Sequence, residues 1–342
     1  MSSFQQKLGS LLNGTAVAFA LSIAKDTGIL EALIDATQPL TSQEIANEKR
    51  LKERYVRDVL ASLGTVELLQ MTSDESGNIR YHLAEQDKLT LKSSMMAFIS
   101  FTKIFASVYE PVKSCFPLEG PYGVRYSSFV HDVIDEFSMY SVDGFVDGFL
   151  KHTQGLKDQL EQGIDVIEFG SGRGRLIAKL AAMFPQSSFT TSDVSTELLD
   201  KQRARWGHLP NIHYQVNDLC CLPDVIPKQY DWIFCADVIH DLPDPLGALK
   251  GIRRLVKPGG VFTFIDIATS GSPLADRGSL EVACYYAAGT FLCIPESFQQ
   301  ESSQALGPCW GKAKAVELVG AADFRLELFT LEGLQALYVC RP

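Results

Sequence analysis

The residues best placed to do chemistry in this chain are acids and one histidine, each standing just after an apolar run. In "VIEFGSGRG" the run Val166-Ile167 leads to Glu168, and Gly170, Gly172 and Gly174 follow at alternate positions. "TTSDVS" carries Asp193 and Val194, "VNDLC" carries Asp218 and Leu219, and "CADVIHDLPDP" carries Asp237 and His240. Glycines let a backbone approach a ligand where a side chain would clash. A carboxylate about twenty residues beyond such a turn can accept both hydroxyls of a ribose. Asp218 can accept from an adenine amino group with Leu219 against the ring. A histidine exchanges a proton near neutral pH. Three glycines can equally be no more than a tight turn, and His240 can equally cap, pack or position a ligand.

The elements needed to hold these residues are legible from 164 onward. Strand patterns "DVIEF", "SSFTTSD", "IHYQVND", "YDWIFCAD" and "GGVFTFIDI" alternate with helical ones such as "GRLIAKLAAMF" and "PLGALKGIRRLV". That alternation predicts an α/β, doubly wound, mostly parallel sheet, which binds ligands beyond the carboxyl ends of its strands. "KAKAVELVGAADF" then reads as a helix, and "FRLELFTLEG" with "LQALYVCR" as an antiparallel edge hairpin. Upstream, spacing predicts a helix over 8–36 and a second helix capped by Thr41 or Ser42 with Glu44 in its first turn. A third follows with Tyr55, Val59, Leu60 and Leu63 on its apolar side. A turn "SDESGN" before "IRYHLA" completes a winged helix. The expected division is 1–92 winged helix, 93–160 helical connector contributing to the active site, and 161–342 ligand-binding domain.

Bulk properties narrow the partners. The chain has 342 residues and a formal net charge of -10, and an acidic surface repels phosphate backbones. In residues 1–92 acidic residues outnumber basic ones twelve to ten, and the basic cluster at 49–57 is interleaved with Glu53 and Asp58. A solvated helix face, and no nucleic-acid partner, is the reading. The eight cysteines form no C-x-x-C pair, so spacing implies no metal and fits a reducing, cytoplasmic setting. The N-terminal apolar stretch lacks a basic start and is interrupted by Asn13, Lys25 and Asp26, which reads as neither a signal peptide nor a membrane span.

Two nucleotide ligands compete for the glycine turn. A dinucleotide site needs G-x-G-x-x-G with a small third residue, and Arg175 occupies that place. The E-x-G-x-G-x-G pattern present suits S-adenosylmethionine, whose sulfonium and ammonium favour the acids Glu168, Asp193 and Asp218. With "VIEFGSGRG", "TSDVS", "VNDL", "DVIHDLPDP" and "LVKPGG" together, nearly the whole chain resembles a class I S-adenosylmethionine-dependent methyltransferase. The likeness is to the type with an N-terminal winged-helix domain, as in plant small-molecule O-methyltransferases, and to a related bacterial and animal branch.

The resemblance implies methyl transfer to an O (or N) atom of a small molecule, with S-adenosylhomocysteine as product. It implies a homodimer formed through the N-terminal domain. It makes His240 the candidate general base, although Leu242 stands where the plant enzymes have Trp. Asp241 is expected to cap the following helix. The cofactor set is Glu168, Gly170, Gly172, Gly174, Asp193, Val194, Asp218, Leu219 and Asp237. Met139, Phe145, Tyr285, Tyr286 and Phe291 are candidates for an apolar acceptor pocket, Glu281 for orienting the base or binding a polar group of the acceptor, and Tyr126 and Phe129 for closing over the cofactor. Arg173 and Arg175 either meet the cofactor carboxylate or face solvent. The competing reading is a DNA-binding winged helix joined to a non-catalytic ligand sensor.

Overall fold

Helix α1 (Ser3–Asp26) begins at a reciprocal cap in which Ser2 and Gln5 side chains each accept the other's backbone N–H. The computed structural model describes residues 2–125, 128–222, 228–331 and 333–342. The helix predicted over 8–36 is broken at Gly28, which adopts φ +78°, and restarts as α2 (Ile29–Asp35). Glycine accepts that left-handed conformation without a Cβ clash. Strand β1 (Leu40–Thr41) leads to α3 (Ser42–Lys49), where Thr41 and Glu44 form the predicted capping box. Helix α4 (Glu53–Thr65) turns Val56, Leu60 and Leu63 inward. Tyr55, expected on that face, is 72% exposed, because one residue of offset rotates a side chain about 100° round a helix. Strands β2 (Gln70–Ser73) and β3 (Ile79–His82) complete an antiparallel sheet in the order β1-β3-β2. Four helices and a wing result, with Ala24, Ile29, Leu33, Ile45, Leu60 and Tyr81 in their core.

Much of the basic cluster is paired locally. Lys49 meets Glu31 at 2.9 Å, Arg54 meets Asp58 at 2.5 Å and Arg57 meets Glu53 at 2.5 Å. Helix α1 has the opposite character. Its most apolar 18-residue window has a mean hydropathy of 1.3 and is only 11% buried, so by length and composition alone it passes the test for a span. Phe4, Leu8, Leu11, Leu12, Phe19 and Ile23 all stand exposed along it. Helices α5 (Glu85–Leu91) and α6 (Phe101–Lys113) follow. The chain divides into two compact units, Met1–Ser107 and Val108–Pro342.

The second unit starts within α6 and continues with α7 (Ser128–His152) and α8 (Leu156–Gln162). It then alternates β4 (Asp165–Phe169), α9 (Arg175–Met183), β5 (Ser188–Asp193), α10 (Thr196–Trp206), β6 (Ile212–Val216), β7 (Tyr230–Ala236), α11 (Pro245–Leu255) and β8 (Val256–Ile267). Helices α12 (Leu280–Ala288), α13 (Ile294–Ser297) and α14 (Lys312–Ala321) precede β9 (Arg325–Thr330) and β10 (Gln335–Arg341). The seven strands lie in the order β6-β5-β4-β7-β8-β10-β9. The first five are parallel, and β10 runs antiparallel to both its neighbours, which is the predicted edge hairpin.

Strict alternation buries both faces of this sheet. Ile167, Ile233, Cys235, Phe262 and Phe264 enter one layer, while Val166, Trp232, Phe234, Val261 and Ile265 enter the other. Successive strand side chains point to opposite faces, and only a sheet covered on both sides makes both sets apolar. Trp232 keeps its indole N–H satisfied by donating to Thr263 Oγ1 at 2.8 Å, and its ring stacks on Phe234.

Candidate active site

Strand order reverses between β4 and β7, since β5 and β6 extend the sheet one way and β8 the other. A crevice opens at such a switch point, beyond the carboxyl ends of the strands. There the structure has a cavity of about 380 Å³ lined by Glu168, Gly170, Gly172, Gly174, Asp193, Val194, Asp218, Leu219 and Asp237. The predicted cofactor residues are therefore brought together. Glu168 and Asp193 are buried, whereas Asp218 and Val194 stand exposed at the rim.

The glycine turn is shaped from behind. Gly170, Gly172 and Gly174 have φ of +63°, +55° and +69°. A Cβ on Gly170 would lie 2.6 Å from Val238 Cγ2, and one on Gly174 would lie 2.6 Å from Gln202 Oε1, while one on Gly172 would meet nothing within 4 Å. So the outer two glycines serve packing and the middle one keeps space clear. Asp193 holds the turn: its Oδ2 accepts from the Gly172 N–H and its Oδ1 from the Ser195 N–H, both at 2.9 Å. Gln202 donates to Gly172 O at 2.8 Å and to Ser171 Oγ at 2.9 Å. Its role was hidden in the sequence, where it is one polar residue of a polar helix.

The acids make this wall hungry for positive charge. Glu168 Oε2 and Asp237 Oδ1 are buried without a hydrogen-bond partner among the described residues. Burial raises the Glu168 carboxyl well above its usual range. It also pushes Asp237 up to about 7, with the nearby Asp266 charge adding to the effect. Buried acceptors without donors are costly in a closed protein, and a ligand that brings cationic or N–H groups relieves that cost.

His240 follows β7 on a short 3₁₀ turn, Ile239–Asp241. It is buried, and its Nδ1 lies 2.6 Å from Asp266 Oδ1. Its Nε2 is 3.3 Å from Asp241 Oδ1. Burial disfavours the imidazolium, but the charges of Asp266 and Asp241 outweigh it and raise the His240 pKa well above the usual value. Asp266 did not figure in the sequence reading, although an acid inside the apolar run "VFTFIDI" carries the same signal as Glu168. His240 is absent from the cavity wall, where its neighbours Asp241 and Leu242 stand.

Other expectations are redistributed. Asp241 does not cap α11: Asp244 does, accepting from the Gly247 N–H at 2.9 Å, because Pro245 fixes the first helical position. Arg173 and Arg175 both line the cavity. They form ion pairs with Asp132 and Asp135 of α7, tying that helix to the glycine turn. Phe145 lines the cavity together with Ile134, Ser138, Ser141 and Val142, one stripe at helical spacing. Met139 falls off that stripe, is 52% exposed and lines a separate groove with Lys179 and Trp206.

Tyr285, Tyr286 and Phe291 do not line the cavity, while Leu292 and Glu296 do. Phe291 stacks on Tyr109 instead, and Glu281 and Phe129 are exposed. Tyr126 lies outside the described residues. His131 also lines the cavity; burial lowers its pKa and the Asp193 charge opposes that shift.

Residues 167–262 match the family model for a methyltransferase domain, and residues 15–92 match that for an Rv2258c-like winged HTH domain. Over 108 residues the chain is 30% identical to a ubiquinone biosynthesis O-methyltransferase of Paracidovorax citrulli, covering 31% of this chain and 44% of that protein. Over 114 residues it is 27% identical to a malonyl-[acyl-carrier protein] O-methyltransferase of Marinomonas sp., covering 33% and 42%. The chain thus spans less than half the length of these curated relatives. Human N-acetylserotonin methyltransferase, solved in complex with SAM, superimposes with a TM-score of 0.71 at 18% identity over 100% of this chain and 98% of that one. The mitomycin 7-O-methyltransferase structure gives 0.68 at 16% over 99% and 98%.

The fold is that of the class I S-adenosylmethionine-dependent methyltransferases. In this chain a methyltransferase domain follows a winged helix-turn-helix domain.

Gly170→Ala is expected to destabilise the protein by about 1–3 kcal/mol, since it combines a left-handed backbone with overpacking against Val238. Denaturant unfolding of the variant checks this, and an unchanged midpoint would show that the turn can relax.

Proposed function

We propose that this protein is a methyltransferase that moves a methyl group from S-adenosylmethionine to an oxygen, or a nitrogen, of a small molecule. The observation that carries the reading is the meeting of four acids and a glycine turn in one cavity, two of the acids with buried unpartnered oxygens. When bound, S-adenosylmethionine supplies a methyl group on a sulfonium, already an excellent leaving group. Glu168 and Asp237 would face its cationic groups, Asp193 and Val194 the ribose, and Asp218 with Leu219 the adenine. Gly172 would leave room for the ligand beside the turn.

The chain's own residues have two tasks left, alignment and proton removal. Aligning the partners is the larger contribution to such a displacement. The stripe of Ile134, Val142 and Phe145, with Leu292 opposite in sequence, offers an apolar wall for a flat acceptor. His240 is the proposed base. Asp266 fixes its ring through Nδ1, which directs Nε2 toward the side where Asp241 meets the cavity. In this reading the acceptor proton reaches Nε2 past Asp241.

Saturating S-adenosylhomocysteine, at a hundred times its dissociation constant, should stabilise the native state by about 2.7 kcal/mol. NAD should not, and thermal unfolding with each ligand reads the difference. A shift with neither would favour the DNA-binding reading. His240→Ala should lower turnover about 100-fold or more with S-adenosylhomocysteine affinity nearly intact. Equal turnover in the variant would remove the base role.

The exposed apolar side of α1 supports a homodimer through the N-terminal domain, because contiguous exposed apolar surface marks an interaction site. Sedimentation equilibrium should give twice the chain mass, and Leu11→Glu with Leu12→Glu should halve it. A wild-type monomer at micromolar concentration would dismiss this arrangement.

A further inference from the structure

Three donor atoms of different chemistry converge behind the cavity wall. His240 Nε2 or Nδ1, a carboxylate oxygen of Asp241 and Cys293 Sγ lie within 4.8 Å of one another. We propose that His240, Asp241 and Cys293 bind a borderline-soft divalent cation, zinc above all, and that an occupied site takes His240 out of use as a base. The second half of this statement rests on the methyl-transfer reading; the first does not.

The donor set selects the ion. Nitrogen, carboxylate and thiolate together suit zinc, whereas magnesium and calcium take oxygen alone. The geometry agrees with a shared ligand. Nε2 and Asp241 Oδ1 are 3.3 Å apart, and the Cys293 thiol is in hydrogen-bonding reach of both side chains. In the metal-free protein these two atoms form an ion pair when the imidazole carries its proton, and the same separation suits two ligands of one ion. Zinc bonds of about 2.0–2.3 Å put tetrahedral donors roughly 3.3–3.8 Å apart.

A second, independent feature is the support behind the histidine. Asp266 is fully buried, accepts the Ile267 N–H at 2.7 Å, and lies 2.6 Å from His240 Nδ1. A carboxylate on the far ring nitrogen is the usual outer partner of a metal-bound histidine, and it keeps a proton on Nδ1 so that Nε2 is the nitrogen that meets the metal. Cys293 closes a π-helical turn, Gly289–Cys293, an irregularity that recurs at functional sites. Asp241 and Leu292 both line the cavity, so the fourth position of the ion would open toward the acceptor. Three protein ligands and one open place is the pattern of a reactive zinc site rather than a purely structural one. Binding releases the thiol proton and the imidazolium proton on Nε2 to solvent and forms the Zn–S and Zn–N bonds, with no change of oxidation state. Nε2 then donates its lone pair to the metal and has none left for an acceptor proton.

Cobalt(II) titration of the metal-free full chain tests the site directly. One equivalent should produce a thiolate-to-cobalt charge-transfer band, which zinc abolishes. Cys293→Ser should lose the band and Cys284→Ser, an exposed thiol, should keep it. Asp266→Asn should weaken zinc binding about 10–100-fold in competition with a chromophoric chelator, with circular dichroism confirming that each variant is folded. Zinc should suppress methyl transfer by the wild type and spare it in Cys293→Ser. No band, or a band that survives in Cys293→Ser, overturns the site. A band with turnover indifferent to zinc overturns the switch alone. A protein that forms the band yet transfers no methyl group supports the site and refutes the methyl-transfer reading.

Discussion

The Asp193 carboxylate holds the site in shape. It takes the Gly172 N–H from the turn after β4 and the Ser195 N–H from the turn after β5, so one side chain joins two neighbouring strand ends. Gln202 reinforces the link from α10 by donating to Gly172 O and Ser171 Oγ, and Arg173 and Arg175 tie the same turn to α7. With the turn fixed on three sides, Gly172 can present bare backbone to a ligand. An acid assigned from sequence to a ribose is thus first a structural member, and each of its oxygens retains a second lone pair for that ligand.

Buried negative charge is the site's second constraint. Glu168, Asp193 and Asp237 all have carboxyl pKa values raised by burial. Such a cluster costs stability unless protons or a cationic partner neutralise it. Perturbed carboxyls gathered in a cavity are a mark of function, and here the perturbation is shared by residues from three separate strand ends. His240 with Asp241 and Asp266 forms a second, coupled group next to them, in which two acids and one base share protons.

Much of this was legible because it is local. The turn glycines, the acids after apolar runs and the capping box of Thr41 and Glu44 are set by short-range sterics and hydrogen bonding. The alternation that gives the sheet is equally short-range, since period two and period 3.6 are properties of a single segment. Where local reading failed, angular position or distant partners decided. Met139 lies six residues from Phe145 and so on another side of α7. Tyr55 lies one residue from Val56 and out of the core. Asp241 lost the helix cap to Asp244 through the position of Pro245.

The sequence by itself determined the alternation of strands and helices and the acids that end the strands, because each is written in one contiguous stretch. Tertiary structure alone decided what stands beside His240. Asp266 comes from the next strand in the sheet and Cys293 from a turn more than fifty residues downstream, and no periodicity links them. Their meeting depends on how β7, β8 and the α12–α13 segment pack, a long-range outcome of burying both faces of the sheet. The same packing turned a polar Gln202 into the brace of the glycine turn and drew His131 to the cavity wall.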